Sequence, residues 1–207
     1  MNEKGNKRIL IIVDYGSQYT PLILARLHEL GYDAKIVEPN AASRKYRNVS
    51  GLILSGGPNS VYSKGAPKLS KTLERLIFEN KIPTLAICYG MQLLCEFLAH
   101  KQGRSVVKSQ GSGEYGRALL SVPRPSGIFK GLAKKEVVWM SHGDSVTSLP
   151  PNSRLLASSK DTKFAAIKLT DYPVVGLQFH PEVSHTQSGR KILKNFVSMC
   201  GTTRRWN

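Results

Sequence analysis

Cysteine and acid are both scarce in this chain of 207 residues. The three cysteines, Cys88, Cys95 and Cys200, are odd in number and widely spaced, which excludes a disulfide framework and a zinc-ligand spacing. Unpaired thiols suit a reducing compartment, so a cytoplasmic chain without a metal site is expected. No apolar run approaches the roughly 18 residues that a membrane span requires, and residues 1–8 are too polar for a leader, so a soluble, untargeted chain is expected. There is no internal repeat, no low-complexity segment and no Gly-Lys-Ser/Thr loop to cradle a phosphate. Acid is outnumbered: 14 Asp and Glu face 30 Lys and Arg, for a net charge of +16. Such a charge raises the question of nucleic acid. It is dispersed, however, in small groups such as Arg44, Lys45 and Arg47, or Arg190, Lys191 and Lys194. No nucleic-acid motif accompanies them, and no aromatic residues are interleaved with a basic stripe. A solvated surface or a docking face for a partner is expected ahead of nucleic acid.

What is present is apolar sequence for one well-cored domain over residues 1–207, with 41% hydrophobic residues. Residues 8–15 read as a buried strand and end in the turn Asp14-Tyr15-Gly16-Ser17. Leu22, Leu24, Ala25, Leu27 and Leu30 then read as a helix stopped by Gly31. Strands are expected over 33–37 and 51–54, the latter ending in Ser55-Gly56-Gly57-Pro58, and a helix over 69–80. Strands alternating with helices predict a mostly parallel α/β sheet with helices on both faces and ligands at the carboxyl ends of the strands. Beyond Ala99 the pattern changes to short strands around 119–122, 137–140, 155–157, 164–169 and 174–179, which predicts a smaller mixed or antiparallel sheet. A helix over 188–199, with Ile192, Leu193, Phe196 and Val197 on its apolar face, closes the chain.

The stretch from Lys81 to Gln92 carries the chemistry. A short apolar strand entered through Pro83 runs into Cys88 and leaves it as a helix. A side chain at such a junction stands on a sharp turn, with the next backbone N–H, that of Tyr89, pointing toward whatever it attacks. The positive end of a helix macrodipole also favours a thiolate. By itself Cys88 is either a buried small hydrophobe or a nucleophile. His180 and Glu182, two apart in an extended segment around Pro181, can share a face, so that the carboxylate fixes the imidazole tautomer that accepts a thiol proton. Alone, such a pair is either a surface ion pair or the rest of a Cys/His/Glu triad. Gly56 and Gly57 allow close backbone approach, and the Gly57 N–H could meet the Tyr89 N–H across an oxyanion; the loop is otherwise an ordinary tight turn.

These motifs resemble the class I glutamine amidotransferases. Ile87-Cys88-Tyr89-Gly90-Met91-Gln92 and Gln178-Phe179-His180-Pro181-Glu182 mark the class. Gly16-Ser17-Gln18-Tyr19-Thr20, Met140-Ser141-His142-Gly143-Asp144 and Glu182-Val183-Ser184-His185-Thr186 resemble most closely the glutaminase domain of the GMP synthases, and Glu114-Tyr115-Gly116 also falls within the match. The resemblance spans residues 9–206 and implies a flavodoxin-like fold and hydrolysis of L-glutamine through a cysteine thioester. It makes Cys88 the nucleophile, His180 base and then acid, and Glu182 the group that orients it. Gly57 and Tyr89 would form the oxyanion hole, and Gln92 with the Ser141, His142, Gly143 and Asp144 loop would surround the glutamine. His142 is expected to stabilise that loop, Cys95 to lie in the core and Cys200 to be structural or incidental. The resemblance also implies an ATP-pyrophosphatase partner domain that carries ATP and Mg for amination of XMP. That domain is absent from this chain, which leaves either a separate subunit or, favoured here, a fragment of a fused enzyme. A glutaminase serving another synthase and an idle regulatory module are the competing readings.

Overall fold

The computed structural model describes residues 8–41, 46 and 48–202, without the side chains of Gln110 and Ser112. The basic residues Arg44, Lys45 and Arg47, and Arg204 and Arg205, lie outside the described residues.

Five strands form the parallel part of the sheet: β1 (Ile9–Val13), β2 (Ala34–Val37), β3 (Val49–Leu54), β4 (Thr84–Ile87) and β9 (Val174–Leu177). β8 (Ala166–Leu169) and β7 (Ser153–Ala157) extend it antiparallel, giving the order β2-β1-β3-β4-β9-β8-β7. Strands this apolar are buried on both faces, and the two-residue side-chain period divides them between two cores. Leu10, Ile12, Ile53 and Leu85 face α1 (Thr20–Glu29) and α4 (Gly189–Met199). Ile11, Val13, Leu52 and Leu54 face α2 (Lys71–Glu74) and α3 (Tyr89–His100).

The helices follow the sequence with two corrections. In α1 the buried apolar residues are Ile23 and Leu27, with Leu30 just past its end, while Leu22 and Ala25 point outward. Helical spacing counted from Leu27 selects positions four before and three after, so the apolar Leu22 and Ala25 fall off the stripe. The expected stop holds: Gly31, at φ +84°, donates to the His28 carbonyl while the Tyr32 N–H reaches back to Leu27, a Schellman cap that needs glycine in the left-handed region. The expected helix over 69–80 begins at Lys71 behind the Ser70 cap, makes one α-turn and continues as the π-helical segment Arg75–Glu79.

The second half departs further from expectation. β5 (Val107–Ser121) and β6 (Lys135–Val146) form a separate two-stranded antiparallel sheet much longer than the segments 119–122 and 137–140. The expected loop of Ser141 to Asp144 is therefore strand, in the carboxyl-terminal part of β6. Its partner strand contains a bulge between Ser109 and Glu114, which hid the pairing from any alternation test.

The sheet order reverses beside β1, since β2 lies to one side and β3 to the other. In open α/β sheets that crevice, outside the carboxyl ends of the strands, is where ligands bind.

Candidate active site

A cleft of about 500 Å³ opens at that end of the sheet. Gly16, Ser17 and Tyr19 reach it from the end of β1, Gly57 and Pro58 from β3, Cys88 from β4, His180 from β9, and Ser141 to Asp144 from β6. The residues after β1, β3, β4 and β9 meet there because those strands run parallel and end on one side of the sheet, and β6 brings its residues from the separate sheet.

Cys88 sits between β4 and α3 at φ +49°, ψ −107°. A non-glycine residue in this region costs about 1–3 kcal/mol and persists only where its surroundings hold it. Here the Cys88 N–H donates to the Leu177 carbonyl at 2.7 Å, and its carbonyl accepts from the Gln92 N–H at 3.1 Å. Glycine at position 90 lets α3 start against β3, because a Cβ there would lie 2.6 Å from the Leu54 carbonyl oxygen. Cys88 is 5% exposed, and its thiol donates to the Ser141 carbonyl at 3.8 Å, while Gln178 Nε2 donates to Sγ at 3.6 Å. The other two thiols lie in the cores: burial pushes Cys95 far up, with Glu96 adding to it, and Cys200 up to about 12. Among the described residues all three cysteines are free, and no group of three or more His, Cys, Asp or Glu is placed to hold a metal ion.

His180 Nδ1 lies 2.8 Å from Glu182 Oε1, and both side chains are buried. The pair forms in the turn after β9, not in extended chain: β9 ends at Leu177, and Pro181 and Glu182 bend back. Burial pushes the imidazole pKa down, but the Glu182 charge and the hydrogen bonds to Cys88 and Glu182 together outweigh it, so His180 is held well above the ordinary histidine range. With Nδ1 engaged by the carboxylate, the nitrogen left for the thiol is Nε2. The turn is pinned from three sides. His180 N–H donates to the Trp139 carbonyl, Thr186 Oγ1 donates to the His180 carbonyl at 2.6 Å, and Arg26 Nε donates to the Glu182 carbonyl at 3.2 Å. Tyr19 stands edge-on to the imidazole with ring centroids 5.0 Å apart. Glu182 Oε2 is buried with no hydrogen-bond partner among the described residues, so no other donor there competes with His180 for the carboxylate's charge.

Gly57 lines the cleft, and a Cβ on it would meet the Tyr15 carbonyl oxygen at 2.6 Å, so the loop can approach β1 this closely only as glycine. Tyr89 turns its ring into the opposite core and is not among the residues lining the cleft; its N–H is one of the first of α3 and has no intrahelical acceptor. Gln92 lines the cleft, but both of its amide hydrogens are committed, to the Asp144 carbonyl at 2.7 Å and to Gln178 Oε1 at 3.3 Å. Oε1 is the atom it has left for a ligand. His142 lies on the strand, with Nδ1 3.0 Å from the Asp144 carbonyl and Nε2 3.7 Å from Glu114 Oε2. Burial holds its pKa below the ordinary range in spite of Glu114. Asp144 accepts from the Tyr62 hydroxyl at 2.9 Å.

Sequence reasoning therefore identified the residues that meet, but gave no role to Gln178, which stands in the same motif as His180, or to Glu114 and Thr162 behind His142. Their part depends on contacts between strands that no local pattern announces.

A strained cysteine at a strand-to-helix turn and, in the same cleft, a histidine on a buried carboxylate form an arrangement suited to acyl transfer. Comparison with known proteins agrees. Residues 11–200 match the family model for glutamine amidotransferase class-I. The chain is 42% identical over 200 residues to a GMP synthase [glutamine-hydrolyzing] from Campylobacter fetus and 45% identical over 193 residues to one from Thermosipho melanesiensis. It covers 96% and 92% of its own length in these matches but only 38% and 36% of the relatives, so it spans little more than a third of their length. A solved Thermoplasma acidophilum protein, assigned as one subunit of a GMP synthase, superposes with a TM-score of 0.81 at 34% identity, covering 94% of both chains. A Thermotoga maritima glutamine amidotransferase shares the fold at a TM-score of 0.73 and 18% identity. With nearly its whole length matched by the family model and its motifs gathered in one cleft, the chain belongs to the class-I glutamine amidotransferases.

Proposed function

We propose that the chain hydrolyses L-glutamine to glutamate and ammonia in the cytoplasm, and that the ammonia feeds ATP-dependent amination of XMP to GMP on a synthetase domain or subunit. His180 takes the Cys88 proton as Sγ attacks the side-chain amide carbon. The Gly57 and Tyr89 N–H groups receive the oxyanion. Collapse breaks the C–N bond, His180 returns the proton to the leaving nitrogen, and ammonia departs from a γ-glutamyl thioester. Water, deprotonated by the same imidazole, then hydrolyses the thioester and restores the thiol. Glu182 keeps Nδ1 engaged throughout, while Gln92 and the strand from Ser141 to Asp144 hold the substrate. ATP and Mg belong to the synthetase partner. The observation that carries this reading is Cys88 on its strained turn, in one cleft with a histidine that is itself 2.8 Å from a buried carboxylate. The GMP synthase assignment is supported by the relatives at 42% and 45% identity.

Ammonia made without an acceptor is lost, so the isolated chain is expected to be a poor glutaminase that a partner loaded with XMP and ATP activates. Completing one oxyanion donor is worth roughly 3–4 kcal/mol of barrier. A chain with net charge +16 docks with an electrostatic component, so activation weakens as salt rises. The test is glutamate release with and without the loaded partner at low and high salt; a lone chain working at full rate contradicts partner control.

A further inference from the structure

Behind the nucleophile runs a series of hydrogen bonds in which one member, Gln178, has no part in the reaction scheme. Gln178 and Gln92 are both buried, and they connect the Cys88 sulfur to the Asp144 carbonyl through an unbroken series of contacts at 3.6, 3.3 and 2.7 Å. The direction of the series is fixed by its far end. A backbone carbonyl only accepts, so the Gln92 atom facing Asp144 is Nε2. The other hydrogen on that nitrogen must then find an oxygen, which sets Gln178 Oε1 toward Gln92 and Gln178 Nε2 toward sulfur. His142 Nδ1 lies 3.0 Å from the same carbonyl and, as its N–H donor, fills the second lone pair, so the anchor is saturated.

The two hydrogen-bonding contacts of the sulfur ask for opposite states of it. The Ser141 carbonyl at 3.8 Å accepts from a thiol and repels a thiolate. The Gln178 N–H, at 3.6 Å, favours the thiolate. Once His180 has taken the proton, the Ser141 contact turns unfavourable, and Gln178 is the donor that remains.

We infer that Gln178 is a further catalytic residue, an amide donor to the Cys88 thiolate, and that Gln92 is the positioning residue that keeps its nitrogen turned to sulfur. The inference rests on the proposed role of Cys88 as nucleophile. It gives Gln178, the residue two before the general base, a task distinct from substrate binding, and it makes Gln92 face two ways, toward ligand with Oε1 and toward the nucleophile's support with Nε2.

The test is the pH dependence of Cys88 alkylation by iodoacetamide, read at the Cys88 peptide by mass spectrometry, in the wild-type chain, Gln178→Met and Gln178→Glu. Hydrogen bonds to charged groups set the scale, so Gln178→Met is expected to raise the midpoint of the alkylation profile by about one to two pH units. With the loaded partner, kcat is expected to fall on the order of 10- to 100-fold with KM within about twofold. Gln178→Glu keeps the shape and the oxygen facing Gln92 but sets a carboxylate against sulfur, and its profile moves further in the same direction. Variants that keep the wild-type circular dichroism and thermal midpoint but overlay the wild-type profile overturn the proposal. Should neither variant fold, the side-chain amide resonances of Gln178 in the wild-type chain decide: they move as Cys88 titrates, or the proposal is wrong. A wild-type Cys88 that resists alkylation at every pH, with no glutamate released beside the loaded partner, is a failure of the glutaminase reading itself.

Discussion

Two histidine–carboxylate pairs border the same cleft, and burial treats them alike while their charges do not. His180 and Glu182 lie 2.8 Å apart, His142 and Glu114 3.7 Å apart, and both imidazoles are buried. Desolvation is the largest influence on each ring and opposes its positive charge. At His180 the carboxylate is in hydrogen-bond contact, and the Cys88 thiol adds to it, so the ring's proton affinity rises. At His142 the carboxylate stands out of hydrogen-bond reach and is already occupied by the hydroxyls of Thr162 at 2.5 Å and Ser159 at 3.0 Å, so burial wins and the ring stays neutral. Less than an ångström of separation, and the presence of competing donors, divides the ring proposed as general base from the ring that serves as a donor to the Asp144 carbonyl. Glu182 has no such competitor among the described residues, and Glu114 has two.

The sharpest break in the comparison removes what the first pair acts upon. Cys88→Ala is expected to lower glutamine-dependent activity by roughly 10³-fold or more, since triad members act as a unit, while ammonia-driven synthesis by the partner survives. Near-normal glutamate release would remove Cys88 from the reaction. The next test sets the two histidines against each other. His180→Ala is expected to cost on the order of 10³-fold in kcat, and His142→Asn, which retains a donor for the Asp144 carbonyl, less than about 10-fold. Equal losses in folded variants would mean that the two pairs have been given the wrong roles. Glu182→Gln keeps the base but removes its charge support, so its loss should be smaller than that of His180→Ala; equality of the two would show that Glu182 does more than orient.

How far this contrast could be read beforehand differs between its halves. The parallel strands, the turn at Cys88 and the identity of His180 and Glu182 were legible, because buried strands are continuous apolar runs and the chemistry needs those residue types. The geometry expected for the pair was wrong in kind: a turn through Pro181 brings the two side chains together, not an extended strand. The second pair was not legible at all. Glu114 is paired directly across β5 and β6 with His142, but β5 carries Gly111, Gly113 and Gly116 at positive φ around a bulge, so its polar, glycine-rich sequence looks like loop. Propensity gave way there to cross-strand pairing. The same hidden strand turned the expected loop of Ser141 to Asp144 into part of β6, and with it concealed the carbonyl that anchors Gln92.

The smallest expected effect is on stability against pH, and its sign is opposite for the two rings. His180 has a folded pKa above its ordinary value of 6.5, so its stabilising contribution is complete below pH 6.5 and is lost as the pH rises through the folded value, near 10. His142 has a folded pKa below 6.5, so its contribution is present above pH 6.5 and is lost as the pH falls through the folded value. Thermal midpoints measured across pH should therefore move in favour of His142→Asn on acidification, relative to the wild type, and in favour of His180→Ala on alkalinisation. Parallel curves for all three proteins would contradict the assigned charge states.

The central claim is that Cys88, driven by His180 on Glu182, is the one reactive thiol of the chain. It is tested most directly by labelling with the glutamine-like electrophile diazo-oxo-norleucine, followed by peptide mass spectrometry, in the wild type, His180→Ala and His142→Asn. The adduct is expected on Cys88 alone, slowed on the order of 10³-fold by His180→Ala and by less than about 10-fold by His142→Asn. An adduct found mainly on Cys95 or Cys200, or a Cys88 rate that follows His142 and ignores His180, would contradict it.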